Sequence, residues 1–92
     1  MIKSFQHKGL EAFFRTGSKA GIQAHHAGRL TTMLFALDLA VKPTDMNAPG
    51  WRLHALTGKF KGYWSISVSG NWRMIFCFHG TDAELVDYLD YH

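Results

Sequence analysis

The chain has 92 residues, 47% hydrophobic and 18% charged, enough for one core and too few for two, so a single domain over residues 1–92 is expected. Ten Lys and Arg against seven Asp and Glu leave a net charge of +3, a mild lean toward polyanions that falls short of the basic footprint of a DNA-binding module. One cysteine, Cys77, excludes an internal disulfide; with no run of about 18 apolar residues and no signal-peptide core in residues 1–5, a soluble cytoplasmic protein that avoids membranes is expected.

Residues 2–5 read as a short opening strand. A helix follows over about residues 8–16, with Leu10, Phe13 and Phe14 on one face and Gly17 as its stop. The spacing predicts a longer helix over residues 25–40, where Leu30, Met33, Leu34, Leu37 and Val41 recur on one buried stripe; Phe35 and Leu39 lie off it. Pro43 ends that helix, and residues 44–49 form a polar connection closed by the Pro49-Gly50 turn signal.

After Gly50 the period falls to two. Residues 51–56 read as a strand, and residues 57–62 as a basic loop carrying Lys59 and Lys61 between two glycines. The next strand sets Trp64, Ile66 and Val68 against Tyr63, Ser65 and Ser67. Past Ser69-Gly70-Asn71, Trp72, Met74, Phe76 and Phe78 oppose Arg73, Ile75 and Cys77, and Cys77 reads as a small buried hydrophobe. Gly80-Thr81-Asp82 turns into an apolar-alternating final strand. Two helices followed by a strand meander describe an α+β domain, with the two N-terminal helices packed on one face of a mainly antiparallel sheet.

The polar residues then fall to the other face or its rim: His54, Lys59, Lys61, Tyr63, Arg73, Tyr91 and His92. Arg73 interrupts an apolar strand, where a guanidinium needs an anionic ligand or a carboxylate, Asp87 or Asp90, to offset its desolvation; the two readings are compatible. No HExxH, CxxC or HxH spacing suggests a metal, no GxSxG elbow a serine nucleophile, and no glycine-rich loop a nucleotide, so no cofactor is expected. Imidazoles, phenols and cations remain. As one candidate chemistry among several, they suffice to cleave RNA through its own 2′-hydroxyl, a reaction that needs a base, an acid and cations on the phosphorane. His54 and His92 suit the base and acid, Arg73 and a loop lysine the phosphate, and Trp51 and Tyr63, near the rim, a stacked base.

Trp51-Arg52-Leu53-His54-Ala55-Leu56, Gly58, Gly62-Tyr63-Trp64-Ser65-Ile66, Asn71-Trp72-Arg73 and the closing Asp90-Tyr91-His92, in this order and spacing, resemble the HigB host-inhibition toxins, a branch of the RelE-like toxin superfamily. The resemblance covers nearly the whole chain. It implies a microbial-RNase-like fold and a ribosome-dependent endonuclease that cuts mRNA in the decoding site. It also implies neutralisation by a HigA-like helix-turn-helix antitoxin, through which any contact with DNA would be indirect, and Phe35 and Leu39 are candidates to face that antitoxin. The implied catalytic residues are His54, Asp90, Tyr91 and His92, and Arg73 matches the family's Asn-Trp-Arg strand. The family's lysine three residues after the first histidine is absent, because Thr57 stands there. Lys59 or Lys61 would have to replace its charge. The competing expectation is a catalytically degenerate relative, a regulatory module that binds RNA or protein without cutting.

Overall fold

A computed structural model describes residues 1–91. Helix α1 spans Lys8–Thr16, α2 Ala27–Leu39, and the strands are β1 His54–Ala55, β2 Trp64–Ser69, β3 Trp72–His79 and β4 Asp82–Asp90. The architecture is α+β, with the four strands antiparallel in the order β1-β2-β3-β4. No helix among the described residues is long and apolar enough to cross a membrane.

Both ends of α1 are set locally. His7 caps it, its Nδ1 accepting the Leu10 N–H at 2.9 Å, and Gly17 ends it at φ 81 with its N–H on the Phe13 carbonyl. A 3-10 turn, Ala24–His26, leads into α2, which buries Leu30, Met33, Leu34 and Leu37. The stripe stops there. Ala40 leaves the helical region, and the Asp45 carboxylate accepts the N–H groups of Val41 and Lys42, so Val41 is 53% exposed rather than buried as its spacing suggested. The connection that follows is not wholly polar, since Pro43–Met46 form a 3-10 turn that buries Met46 completely.

The opening segment is not a regular strand. Ile2 and Phe5 make single parallel bridges to Ala83 and Val86 beside β4, and Asp38 of α2 accepts the Ile2 N–H at 2.9 Å. Residues from α1 and α2 share one hydrophobic cluster with Ile66, Val68, Met74, Phe76, Ala83, Val86 and Tyr88 of the sheet. Trp64 and Trp72 pack against that cluster. The helices therefore cover one sheet face, as the change of period implied.

Two irregularities decide what the open face presents. Cys77 pairs with Glu84 and Ile75 with Asp87, so β4 carries an extra residue opposite Phe76, and Leu85 takes the left-handed conformation at φ 55. Without this bulge a period of two would put Leu85 inside and Val86 outside. With it, Ala83, Val86 and Tyr88 face the core and Asp87 faces the open side. Arg52, at φ 54, is the second. It shortens the strand expected over residues 51–56 to the pair His54–Ala55.

An apolar groove lies on the helical side, lined by Phe13, Phe14, Thr31, Leu34 and Phe35. Phe35 is 68% exposed, and Leu39, one turn further along α2, is 69% exposed.

Candidate active site

Antiparallel pairing places partners on the same face. His54 pairs with Ser65, Ser65 with Ile75, and Ile75 with Asp87, giving one row across the whole sheet. Beside it runs the row Ser67, Arg73 and Leu89. Ile75 and Ser65 are buried yet stand apart from the main core, so the open face has a covered centre of its own. The Ser65 hydroxyl there has no hydrogen-bond partner among the described residues.

His54 lies exposed on the edge strand with its Nδ1 2.9 Å from the Arg52 carbonyl. A carbonyl oxygen only accepts, so in the neutral ring Nδ1 carries the hydrogen and Nε2 the lone pair. Nε2 is therefore the nitrogen suited to take a proton.

Arg73 is half-buried on β3. Its Nη1 donates to the Gly70 carbonyl at 2.6 Å, the Trp72 carbonyl at 3.1 Å and the Ser67 hydroxyl at 3.3 Å. The turn before β3 thus holds the guanidinium through neutral oxygens, in addition to the anionic ligand or carboxylate that the sequence suggested. Arg73 pairs in register with Leu89, and no ion pair to Asp87 occurs among the described residues.

The chain end is docked as far as it is described. Asp90 closes β4 opposite Trp72, and the next residue, Tyr91, returns to the β2–β3 turn by donating its N–H to the Asn71 carbonyl at 2.8 Å. The Tyr91 ring meets Phe60 edge-on, centroids 6.0 Å apart at 85°, and Phe60 meets Tyr63 in the same manner at 5.9 Å and 82°. Phe60 belongs to the loop after β1, so this contact brings the terminal phenol to the side of the sheet that carries His54. The role expected of His92 lies outside the described residues.

The basic loop is a 3-10 turn, Gly58–Phe60, closed by the Leu56 N–H on the Tyr63 carbonyl at 2.9 Å. Lys59 holds its ammonium 5.4 Å from the Phe60 ring centroid, while Lys61 and Thr57 are exposed on the same loop. Burial pushes the Tyr63 phenol above its ordinary value, aided by Cys77 and Asp87 and opposed by a hydrogen bond with the Gln6 side chain. Tyr63 is thus a neutral phenol amid the open face. Cys77 is half-buried rather than fully buried, its thiol raised by desolvation and then by Glu84. Trp51, placed at the rim by its sequence position, packs half-buried against the core, which leaves less of its ring for a base. No group of three or more His, Cys, Asp or Glu side chains suited to a metal occurs among the described residues.

Sequence reasoning missed Phe60. Its signal was faint, an aromatic residue between two lysines in a loop otherwise read as basic. His26 was also missed as a packing group. It is 2% exposed, with Nδ1 2.6 Å from the Tyr88 hydroxyl and Nε2 without a hydrogen-bond partner among the described residues.

Comparison with known proteins identifies the family. Residues 3–92 match the family model described as the RelE-like toxin of type II toxin-antitoxin system HigB. The chain is also 44% identical over 92 residues, the full length of both, to the Endoribonuclease HigB of Proteus vulgaris.

Proposed function

The chain belongs to the HigB-like family of RelE-like toxins of type II toxin-antitoxin systems, and from that premise we propose how its open face cleaves RNA and what it meets in the cell. As such a toxin it has an antitoxin partner, and its activity is that of an endoribonuclease. The finer reading is a cytoplasmic enzyme that cuts mRNA held in the small-subunit decoding site and so stops translation, without needing a metal ion.

One observation carries the mechanism. The Arg52 carbonyl fixes the His54 tautomer so that Nε2 is basic, while the loop after β1 and the docked Tyr91 bound the same face. In this reading His54 and His92 serve opposite sides of the scissile phosphate. One takes the proton of the 2′-hydroxyl, the 2′ oxygen bonds to phosphorus, the bond to the 5′ oxygen breaks, and the other group protonates that leaving oxygen. A 2′,3′-cyclic phosphate and a 5′-hydroxyl end result. Arg73, held in place through Nη1, and a loop lysine stabilise charge on the phosphorane, Tyr91 and Asp90 orient the scissile nucleotide, and Tyr63 offers a ring for a base.

The test is single-turnover cleavage of mRNA on programmed ribosomes. His54→Ala and, separately, removal of His92 are each expected to lower the rate about 10²- to 10⁴-fold. Undiminished cleavage in both would overturn the assignment. Thr57, where the family has lysine, favours a second reading, a regulatory module that binds RNA or protein without cutting. Growth arrest that survives both changes would select it.

For the partner, the proposal is a HigA-like helix-turn-helix antitoxin that seats apolar side chains in the groove between α1 and α2, on the sheet side opposite His54. Contact with DNA would then pass through the antitoxin. An exposed pair such as Phe35 and Leu39, one helical turn apart, suits a helix laid into a groove.

A further inference from the structure

We propose that Phe60 is a positioning residue for the cleavage reaction, clamping Tyr91 and holding the Lys59 ammonium beside it. The inference rests on placing the reaction on the open face, and it concerns a residue that the sequence reading left out.

Past the end of β4, the Tyr91 N–H to the Asn71 carbonyl is a main-chain tie, and a phenol 43% exposed is poorly fixed by such a bond alone. Phe60 adds lateral support. Its ring stands edge-on to Tyr91 at 6.0 Å and edge-on to Tyr63 at 5.9 Å, so it bridges from the start of β2 to the chain end. The turn that presents it is built for that purpose by local bonds. Phe60 N–H donates to the Thr57 carbonyl, Lys61 N–H to Gly58 and Tyr63 N–H to Phe60, between Gly58 at φ 67 and Gly62 at φ 97. The same ring draws the Lys59 ammonium to 5.4 Å by its negative face. One aromatic side chain therefore fixes both a phenol and a cation, and a smaller residue would release both together.

The experiment compares Phe60→Ala, Phe60→Leu and Phe60→Tyr in the full chain, by single-turnover cleavage of ribosome-bound mRNA across substrate concentrations, with thermal unfolding recorded for each. The expected result is a drop of about tenfold in the maximal rate for Phe60→Ala and Phe60→Leu with KM changed less than about twofold, as an aromatic contact biases Tyr91 by that order. Phe60→Tyr, which keeps the ring, should return to within about threefold of the parent. The Tyr91 ring protons should also lose their ring-current shift in Phe60→Leu and keep it in Phe60→Tyr.

Either of two results overturns the proposal: Phe60→Ala cleaving at the parental rate, or Phe60→Leu matching Phe60→Tyr, which would reduce the role to apolar filling. His54→Ala is run alongside. If it is inactive while Phe60→Ala is unaffected, this inference alone fails. If His54→Ala itself cleaves normally, the placement of the reaction fails and takes this inference with it.

Discussion

His54 is aimed by Arg52, whose carbonyl oxygen lies 2.9 Å from the imidazole Nδ1 and whose own backbone sits at φ 54 in the left-handed region. An L residue costs about 1–2 kcal/mol there, a cost that recurs where a backbone turn serves a site. Arg52→Gly is expected to retain the His54 tautomer, with Nδ1 protonated by ¹⁵N NMR at neutral pH, and to change stability by less than about 1 kcal/mol. Arg52→Val, β-branched in that region, should lose roughly 2 kcal/mol in urea unfolding and broaden the His54 resonances. Equal stability of the two variants would show that the backbone conformation is not what aims the ring.

The loop lysines are not equivalent. Both are exposed, but Lys59 holds its ammonium against the Phe60 ring, whereas Lys61 lies at the far end of the turn. Lys59→Ala should therefore lower the cleavage rate by about tenfold, less than the loss of a buried oxyanion donor, and Lys61→Ala by about twofold at most. Parallel growth-arrest and cleavage assays of the two variants check this, and the reverse order would assign the missing family charge to Lys61.

Introducing a charge into the α1–α2 groove separates partner binding from catalysis. Phe35 is 68% exposed, so Phe35→Glu should unfold at nearly the parental temperature and cleave at the parental rate. Its affinity for the antitoxin, measured by calorimetry, should fall about 10- to 100-fold if this face is the seat. Unchanged affinity would move the antitoxin to another surface.

Acid should loosen the molecule through His26. Burial chiefly, and then His25, whose ring centroid is 4.2 Å away, lower its pKa below 6.5; its other neighbours are the Tyr88 hydroxyl and the Trp72 ring. Because the folded form resists protonation, the unfolded chain binds the proton first as pH falls below 6.5. Stability is therefore full above that pH and declines beneath it, by at most about 1.4 kcal/mol per pH unit from this group, until the folded pKa is reached. Urea unfolding at pH 7.5 and 5.5 measures the decline. His26→Asn should show a smaller pH dependence, and an identical one would assign the effect to other groups.

How much of this was legible before folding differs by element. Helix α1 was readable to its ends, because its apolar spacing and Gly17 act within one turn. The core faces of β2 and β3 were readable from alternation. Val41 was misplaced, since the same spacing continues past a point where Asp45 captures the backbone. The β4 bulge at Leu85 was invisible, because Leu85 and Val86 are both apolar and either could face inward.

The site divides along the same line. His54, Arg73 and Tyr91 were named from residue type and family wording, and their placement on one side of the sheet follows from register and a docked chain end. The residue types, the α+β class and the family are written in the order of amino acids, since periodicity and local motifs depend on near neighbours along the chain. Arg52 and the turn before β3 act on His54 and Arg73 from neighbouring positions, whereas the row that joins His54 to Asp87 and the ring of Phe60 on Tyr91 arise only when distant segments meet. Hydrogen bonds and ring contacts act over a few ångströms of space, and distance along the chain does not measure that.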